Sequence, residues 1–306
     1  MVARHFEIVF KGVYRMIIAL WTGKSPRGMS PLRQAVTIFL ALAVLSCLLV
    51  FCPNLSQYVL AATPDTNSAL DAKATVDPYW DHAHAEIHKS FAALLARSQT
   101  EHGQVPTLLP HGDVTAKEIA FTFDDGPHPN FTPRLLAVLR LCNVKATFFV
   151  VGEMAAKYPA YILDELADGH LVGNHTFHHV NLKKLSQEDV AIEIKACDEV
   201  LKDITGQSAH LFRPPGGDYS TKVTRVARAL GYTTVLWTDD PADYAKPGCQ
   251  AIKARLYRKL TNGGIILLHD GIEQTLTILP ELIADLRSKG YRIVSLEDML
   301  KKHPAE

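Results

Sequence analysis

Two short clusters in the sequence combine carboxylates and imidazoles in a way that suits metal chemistry. Asp124 and Asp125 stand side by side in TFDDGP, and His175 and His179 stand four residues apart in HTFHH. Two neutral imidazoles and one carboxylate form the ligand set of many catalytic zinc sites, with a position left open for water. If HTFHH forms one turn of helix, His175 and His179 share a face. We therefore predict that Asp125, His175 and His179 bind a metal. His178 is an alternative ligand by its three-residue spacing.

The metal ligands leave one carboxylate, Asp124, to serve as general base. HTFHH is not HExxH, so the base must come from another segment. Adjacent residues of an extended strand point to opposite sides, so we expect one carboxylate to bind the metal while its neighbour faces the bound water. Each cluster alone has a simpler interpretation, DDGP as a solvated turn and the histidine pair as surface residues. Together they favour a functional site.

Three further segments carry polar groups suited to hydrolysis. Arg213, in RPPGG, can pair with a carboxylate and hold it ionised, and the glycines after it let backbone amides approach a ligand. His269 ends an apolar run in LLHD and suits a general acid near neutral pH, with Asp243 able to orient it. Each segment alone more often has a structural role. The argument for function is that all of them follow the ends of predicted strands.

From residue 117 onward, short apolar runs alternate with amphipathic segments. This alternation predicts an α/β fold, a distorted (β/α) barrel of about seven parallel strands with helices on its faces. The polar clusters follow the carboxyl ends of the strands, where barrels of this kind hold their active sites. We expect strands at 119–123, 146–151, 171–172, 210–212, 233–237, 265–268 and 291–294, and helices at 133–141, 160–167, 187–204, 221–230, 249–260 and 279–289.

The ordered set TFDDGP, HTFHH, RPPGG, DDPADY and LLHD resembles the polysaccharide deacetylases of the NodB-homology type, carbohydrate esterase family 4, over roughly residues 115–300. The resemblance implies metal-assisted hydrolysis of the N-acetyl group of N-acetylglucosamine residues in a cell-envelope or extracellular glycan. It implies one divalent metal, with zinc favoured over cobalt, nickel or manganese. The roles implied are Asp124 as catalytic base, Asp125, His175 and His179 as metal ligands, Arg213 steadying the base, His269 as acid tuned by Asp243, and Leu267 lining the acetyl pocket.

Two positions depart from the family pattern. Gly216 stands where many members have tyrosine, and Tyr244 stands where they often have tryptophan. The backbone amide of Gly216 can still supply the family's oxyanion donor, so the departures concern the substrate groove more than the chemistry. Two alternative functions stay open: deacylation of another amide, such as an aminosugar lipid, and glycan binding by an inactive module. The complete set of acidic and histidine residues favours an active deacetylase.

The N-terminal region has the pattern of a membrane anchor. Residues 1–34 carry six basic side chains against Glu7, and residues 35–52 carry no charge. Eighteen apolar residues reach the short end of the range for a spanning helix. The basic flank places the N-terminus in the cytoplasm, so we expect a single-pass membrane protein with a periplasmic or extracellular catalytic domain. Small residues near Ala61 permit cleavage, which would make the protein secreted. A buried core helix is the remaining alternative.

The rest of the chain divides into a linker at 53–114 and a deacetylase domain at 115–306. Asp77 and Pro78 have the pattern of a helix start, and the helix carries an apolar face that we expect to pack on the domain. His82, His84 and His88 on this helix fit a solvated polar face better than a second metal site.

The amino-acid composition limits which binding partners we expect. The net charge is zero at a pI near 7.2, which argues against nucleic acid. The expected partners are the N-acetylated glycan and, through the N-terminal segment, the membrane. Cys142, Cys197 and Cys249 form no CxxC motif, and one disulfide among them is permitted without a preferred pair.

Overall fold

The structure is a computed structural model, and it describes residues 68–100 and 108–302. The predicted anchor at 35–52 and the basic segment at 1–34 lie outside the described residues. Among the helices of the described part, none has the length and apolar character needed to cross a membrane.

Eight parallel strands form one sheet with the order β1-β6-β5-β4-β3-β2-β7, and β8 pairs with the start of β2. The seven strands of the path form a distorted half-barrel, which confirms the predicted α/β class and the number of about seven parallel strands, although the predicted set has the strand at 291–294 in place of β1. Beyond the end of β6, a single parallel bridge joins Asp239 to Ile266 of β7. The strands are β1 Leu108–Leu109, β2 Glu118–Gly126, β3 Thr147–Val150, β4 Leu171–Asn174, β5 Leu211–Phe212, β6 Thr233–Val235, β7 Gly264–His269 and β8 Arg292–Ile293.

The helices that follow the strands cover the sheet. Five of the six helices predicted for the domain lie within about one residue of their expected bounds. The sixth, α8, begins at Glu273 rather than Leu279, because Pro280 lies inside the helix instead of in its first turn. The helices are α1 Ser68–Thr100, α2 Thr132–Leu141, α3 Gly152–Lys157, α4 Pro159–Ala167, α5 Gln187–Thr205, α6 Thr221–Ala229, α7 Cys249–Lys259, α8 Glu273–Ser288 and α9 Leu296–Lys302.

Strand β2, which pairs with β3, β7 and β8, is buried along nearly its whole length, as expected for a parallel sheet covered on both faces. Phe121 and Phe123 point into the main core with Phe148 of β3, and all three are fully buried. This packing fixes the strand ends, and therefore the polar residues that follow them. The three cysteines within the described residues, Cys142, Cys197 and Cys249, are free.

Helix α1 begins before the predicted start at Asp77. Pro78 lies inside the helix, where it removes one backbone hydrogen bond without ending it. The predicted packing of this helix is confirmed, since Ala83 and Ile87 are buried in the domain core. His82 and His88 contact Glu199 and Glu188 of α5, respectively.

Candidate active site

The two adjacent carboxylates lie in an irregular part of β2, at its carboxyl end. The pairing of β2 with β3 shifts register between Asp124 and Gly126, and Asp125 has a left-handed backbone with φ 71°. The expectation that the carboxylates point to opposite sides of an extended strand was therefore wrong. The bulge directs both toward His175, whose Nε2 lies 3.6 Å from Oδ2 of Asp124 and 3.5 Å from Oδ1 of Asp125.

The histidine segment after β4 is a bend, so the predicted helical turn was also wrong. Thr176 and His179 have φ angles of 69° and 56°, which a right-handed helix excludes. The Asn174 side chain accepts the Thr176 amide at 2.9 Å and starts the bend. The bend, rather than a helical turn, therefore brings His179 to the site, with its Nε2 3.1 Å from Asp125 Oδ1.

Ligand atoms of Asp125, His175 and His179 all lie within 4.8 Å of one another. Among the side chains described, in residues 78–96 and 108–302, no other group of three acidic, histidine or cysteine residues could hold a metal ion in this way. Two N or O atoms bound to one tetrahedral zinc at roughly 2.0–2.1 Å are about 3.3 Å apart. The separations of Asp125 Oδ1 from the two imidazole nitrogens, 3.1 and 3.5 Å, bracket that value.

Two further observations agree with a cation at this position. Asp125 Oδ1 is a buried oxygen with no hydrogen-bond partner, which a bound cation would satisfy. The Nδ1–H of His175 donates to the Arg213 carbonyl oxygen at 2.7 Å, which leaves the Nε2 lone pair directed at the cluster. The residues therefore fit a divalent metal.

His178, the alternative ligand, faces away from this cluster. Its Nδ1 lies 2.9 Å from Oε1 of Glu193, a buried carboxylate on α5. This hydrogen bond raises the pKa of His178. The geometry favours His179 as the third ligand.

The charges of Asp125, His175 and His179 influence one another strongly. Burial alone would raise the pKa of Asp125, but its close contacts with the imidazoles of His175 and His179 hold it well below its usual range. The same contact with Asp125 raises the pKa of His179. Asp125 is therefore ionised at any physiological pH, as a metal ligand must be.

Asp124 is held by a fully buried arginine. Arg213 Nη1 donates to Asp124 Oδ1 at 2.7 Å, and its Nη2 donates to the Leu236 carbonyl at 3.0 Å. The guanidinium also lies over the ring of Phe149, with 4.2 Å between its central carbon and the ring centroid. The positive charge of Arg213 has no access to water, and the Asp124 carboxylate balances it.

His269 and Asp243 meet as predicted. His269 Nδ1 lies 2.6 Å from Asp243 Oδ1, and the His269 amide donates to Asp243 Oδ2 at 2.9 Å. Burial works against a protonated imidazole, but the Asp243 hydrogen bond and charge outweigh it and raise the pKa of His269 to about 9. His269 is the backbone pairing partner of Asp124 across β2 and β7, so the two lie on neighbouring strand ends.

The three predicted substrate residues lie at separate places near the strand ends. Leu267 of β7 is almost completely buried, whereas Tyr244 is 55% exposed with its ring centroid 5.3 Å from that of His269. Gly216 lies in the turn Pro215–Gly217 with φ 62°, and nothing lies within 4 Å of where a Cβ would stand. Their substrate roles stay predictions.

Comparison with known proteins agrees with this geometry. The sequence profile of the family described as polysaccharide deacetylase matches residues 111–235. A peptidoglycan-N-acetylglucosamine deacetylase of Bacillus cereus is 36% identical over 216 residues, covering 69% of this chain and 100% of the relative. The chain belongs to the polysaccharide deacetylase family. It is a hydrolase that acts on N-acetyl amide bonds.

Two further relatives of this polysaccharide deacetylase extend the comparison. A chitooligosaccharide deacetylase of Azorhizobium caulinodans is 35% identical over 193 residues, covering 58% of this chain and 92% of that protein. The crystal structure of a peptidoglycan N-acetylglucosamine deacetylase in complex with an N-oxidanyl-benzamide superposes with a TM-score of 0.62 at 31% identity, covering 66% of this chain and 96% of that one.

Three residues of the deacetylase site were not predicted from sequence. Glu193 accepts the amides of Phe177 and His178 at 3.1 and 3.0 Å and so anchors the histidine bend. The Thr122 hydroxyl accepts from Arg213, and the Thr275 hydroxyl donates to Asp243 at 2.6 Å. A sequence signal existed only for Glu193, a carboxylate between two isoleucines on the buried face of a helix.

Proposed function

We propose that the protein removes acetyl groups from N-acetylglucosamine-type residues of a peptidoglycan or chitin-like glycan by metal-dependent hydrolysis. The observation that carries the proposal is the group of Asp125, His175 and His179 with a base candidate and an acid candidate on adjacent strand ends. The names of the relatives, which are peptidoglycan and chitooligosaccharide deacetylases, support this class of substrate.

The ligand set suits one divalent metal. Two imidazoles and a carboxylate favour zinc, and cobalt, nickel and manganese also accept such ligands. A metal bound there supplies a Lewis acid and lowers the pKa of water. Asp125, His175 and His179 are the residues that we expect to hold it.

Asp124 and His269 divide the proton transfers of amide hydrolysis. Asp124 Oδ2 faces His175, because Oδ1 is engaged by Arg213, and we assign Oδ2 as the atom that takes the proton from the attacking water. The water oxygen bonds to the acetyl carbon and the C–N bond breaks. His269, protonated at neutral pH with Asp243 behind it, gives a proton to the departing nitrogen. The products are acetate and the free amine.

Three other residues complete the proposed site. The backbone amide of Gly216 donates to the developing oxyanion, and its empty surroundings leave room for a ligand. Leu267 lines the acetyl pocket, and the exposed ring of Tyr244 contacts the sugar next to His269.

The direct test is to measure acetate release and metal content together. We expect the wild-type protein to bind one metal equivalent and to release acetate from a chitin oligosaccharide or from peptidoglycan. His175→Ala should lose both. A wild-type protein that holds a metal but releases acetate from neither glycan would contradict the proposed substrate class, whereas unchanged metal content in His175→Ala would contradict the ligand assignment.

We further propose that the enzyme is anchored in the membrane by residues 35–52 with its catalytic domain on the outer side, as the basic segment before them suggests. Fractionation of cells that make the full chain tests this. Recovery of the enzyme in the soluble cytoplasmic fraction would contradict it.

A further inference from the structure

Trp80 of α1 lies outside the segment that the family profile matches, yet it contacts the bend that carries the proposed metal ligands. Its indole stacks on Phe177, with ring centroids 6.0 Å apart and planes 30° apart. It also meets His178 edge to face at 4.6 Å. Phe177 and His178 are two of the three residues that separate His175 from His179 in the chain.

Other groups hold the same two residues from further directions. Glu193 accepts both backbone amides and contacts the His178 ring. At the start of α3, a Cβ on Gly152 would stand 2.6 Å from the Phe177 ring, so the bend has no free space there either. Trp80 adds ring contacts to this bend from a helix that precedes the sheet.

Helix α1 is attached to the domain by contacts that do not involve the bend. The Tyr79 hydroxyl donates to Asp203 at 2.7 Å, and His82 lies 2.9 Å from Glu199, both partners on α5. Neither contact involves Phe177 or His178, so a substitution at Tyr79 or His82 removes no group that touches the bend. The function of Trp80 can therefore be separated from the attachment of the helix.

We propose that Trp80 is a positioning residue for the metal site, and that helix α1 is a part of the active-site structure. By closing the outer side of the bend, Trp80 fixes the distance between the imidazoles of His175 and His179 and thereby sets the affinity for the metal. This inference rests on the proposed function, because it assumes that these histidines bind the metal.

The test compares Trp80→Ala, Trp80→Leu and Trp80→Phe with Tyr79→Phe in the full-length chain. Zn²⁺ is titrated into metal-free protein in competition with a chromophoric chelator, and melting curves are recorded in parallel. Residues that support metal ligands typically change affinity by about 10–100-fold when removed. We expect a loss of that size in Trp80→Ala and Trp80→Leu, recovery to within about threefold of wild type in Trp80→Phe, and wild-type affinity in Tyr79→Phe.

Two results would overturn the role of Trp80 and leave the metal site standing. One is wild-type zinc affinity in Trp80→Leu despite a lower melting temperature. The other is a loss of affinity in Tyr79→Phe as large as that in Trp80→Ala. Trp80→Leu keeps an apolar side chain there without a ring and leaves a smaller cavity than Trp80→Ala, so it keeps the test available if Trp80→Ala does not fold. A wild-type protein that binds no zinc would overturn the proposed metal site as well, which separates the two failures.

Discussion

Arg213 Nη1 and Asp124 Oδ1 lie 2.7 Å apart, and the arginine is fully buried. Because the same nitrogen also donates to the Thr122 hydroxyl, the carboxylate has a single orientation. Its Oδ1 is occupied, so Oδ2 is the oxygen that faces the metal ligands. The pair thus decides which oxygen of the base can accept a proton.

Replacement of Asp124 by asparagine tests this arrangement. The amide oxygen can still accept from Arg213, but no group can take the proton from water, so we expect kcat to fall by about 10²–10⁴-fold. Metal content should stay at one equivalent, because Asp124 is not a ligand in our assignment. Acetate release and metal analysis on the same samples measure both. A variant that turns over at the wild-type rate would exclude Asp124 as the base.

The two neighbouring histidines should respond differently to the same substitution. His178→Asn keeps a donor for Glu193 and removes no proposed ligand, so we expect it to retain stoichiometric metal. His179→Asn removes the imidazole 3.1 Å from Asp125 and should lose most of the metal and activity. Metal analysis after dialysis distinguishes the two. The reverse result would assign His178 as the ligand.

The pH profile should report the coupling of His269 to Asp243. A general acid works only when protonated, so activity declines as the pH rises through its pKa, which Asp243 raises to about 9. Asp243→Asn removes the charge that favours the imidazolium, so the basic limb of the kcat profile should move to lower pH.

The matched control for that profile is Thr275→Val, which removes one hydrogen bond to Asp243 but leaves its charge. Because the Asp243 charge is retained, we expect the basic limb in this variant not to move to lower pH. If the limb stays in place in Asp243→Asn, the pH dependence belongs to a group other than His269.

The adjacent glycines of the RPPGG turn provide a packing test. Gly216 and Gly217 both have positive φ, 62° and 66°, so alanine at either position costs about 1–2 kcal/mol of strain. A Cβ on Gly217 would also stand 2.4 Å from the Trp237 ring, whereas a Cβ on Gly216 would have nothing within 4 Å. We expect Gly217→Ala to lose about 1–3 kcal/mol more of unfolding free energy than Gly216→Ala. Equal losses in denaturant unfolding would show that the turn moves freely.

The sequence was sufficient for most of the architecture, because apolar periodicity reports burial directly. It predicted the strands near residues 119–123 and 265–268 and the long helix α5. It did not predict β1, whose two residues are too short to show a period. It also misplaced the starts of α1 and α8, since proline is typical of a first helical turn but is tolerated inside both helices.

The structure brings the predicted metal ligands together, but the backbone that positions them was not predictable from the sequence. Asp125 and His179 were selected by type and spacing, yet both have left-handed φ angles that neither the strand nor the helix assumption allows. The bend depends on Glu193, whose position relative to Phe177 is set by the packing of a helix 16 residues further along the chain. Contacts across such separations leave no local pattern in the sequence.

The site lies at the carboxyl ends of the strands, where some of its side chains are partly exposed. The side chains of Asp125 and His179 are 41% and 42% exposed, and Tyr244, whose ring lies against His269, is 55% exposed. A long polymer can therefore cross the rim sideways, and no chain end has to be threaded into a tunnel. We expect internal sugars of an oligosaccharide blocked at both termini to be deacetylated as readily as those of the unblocked chain.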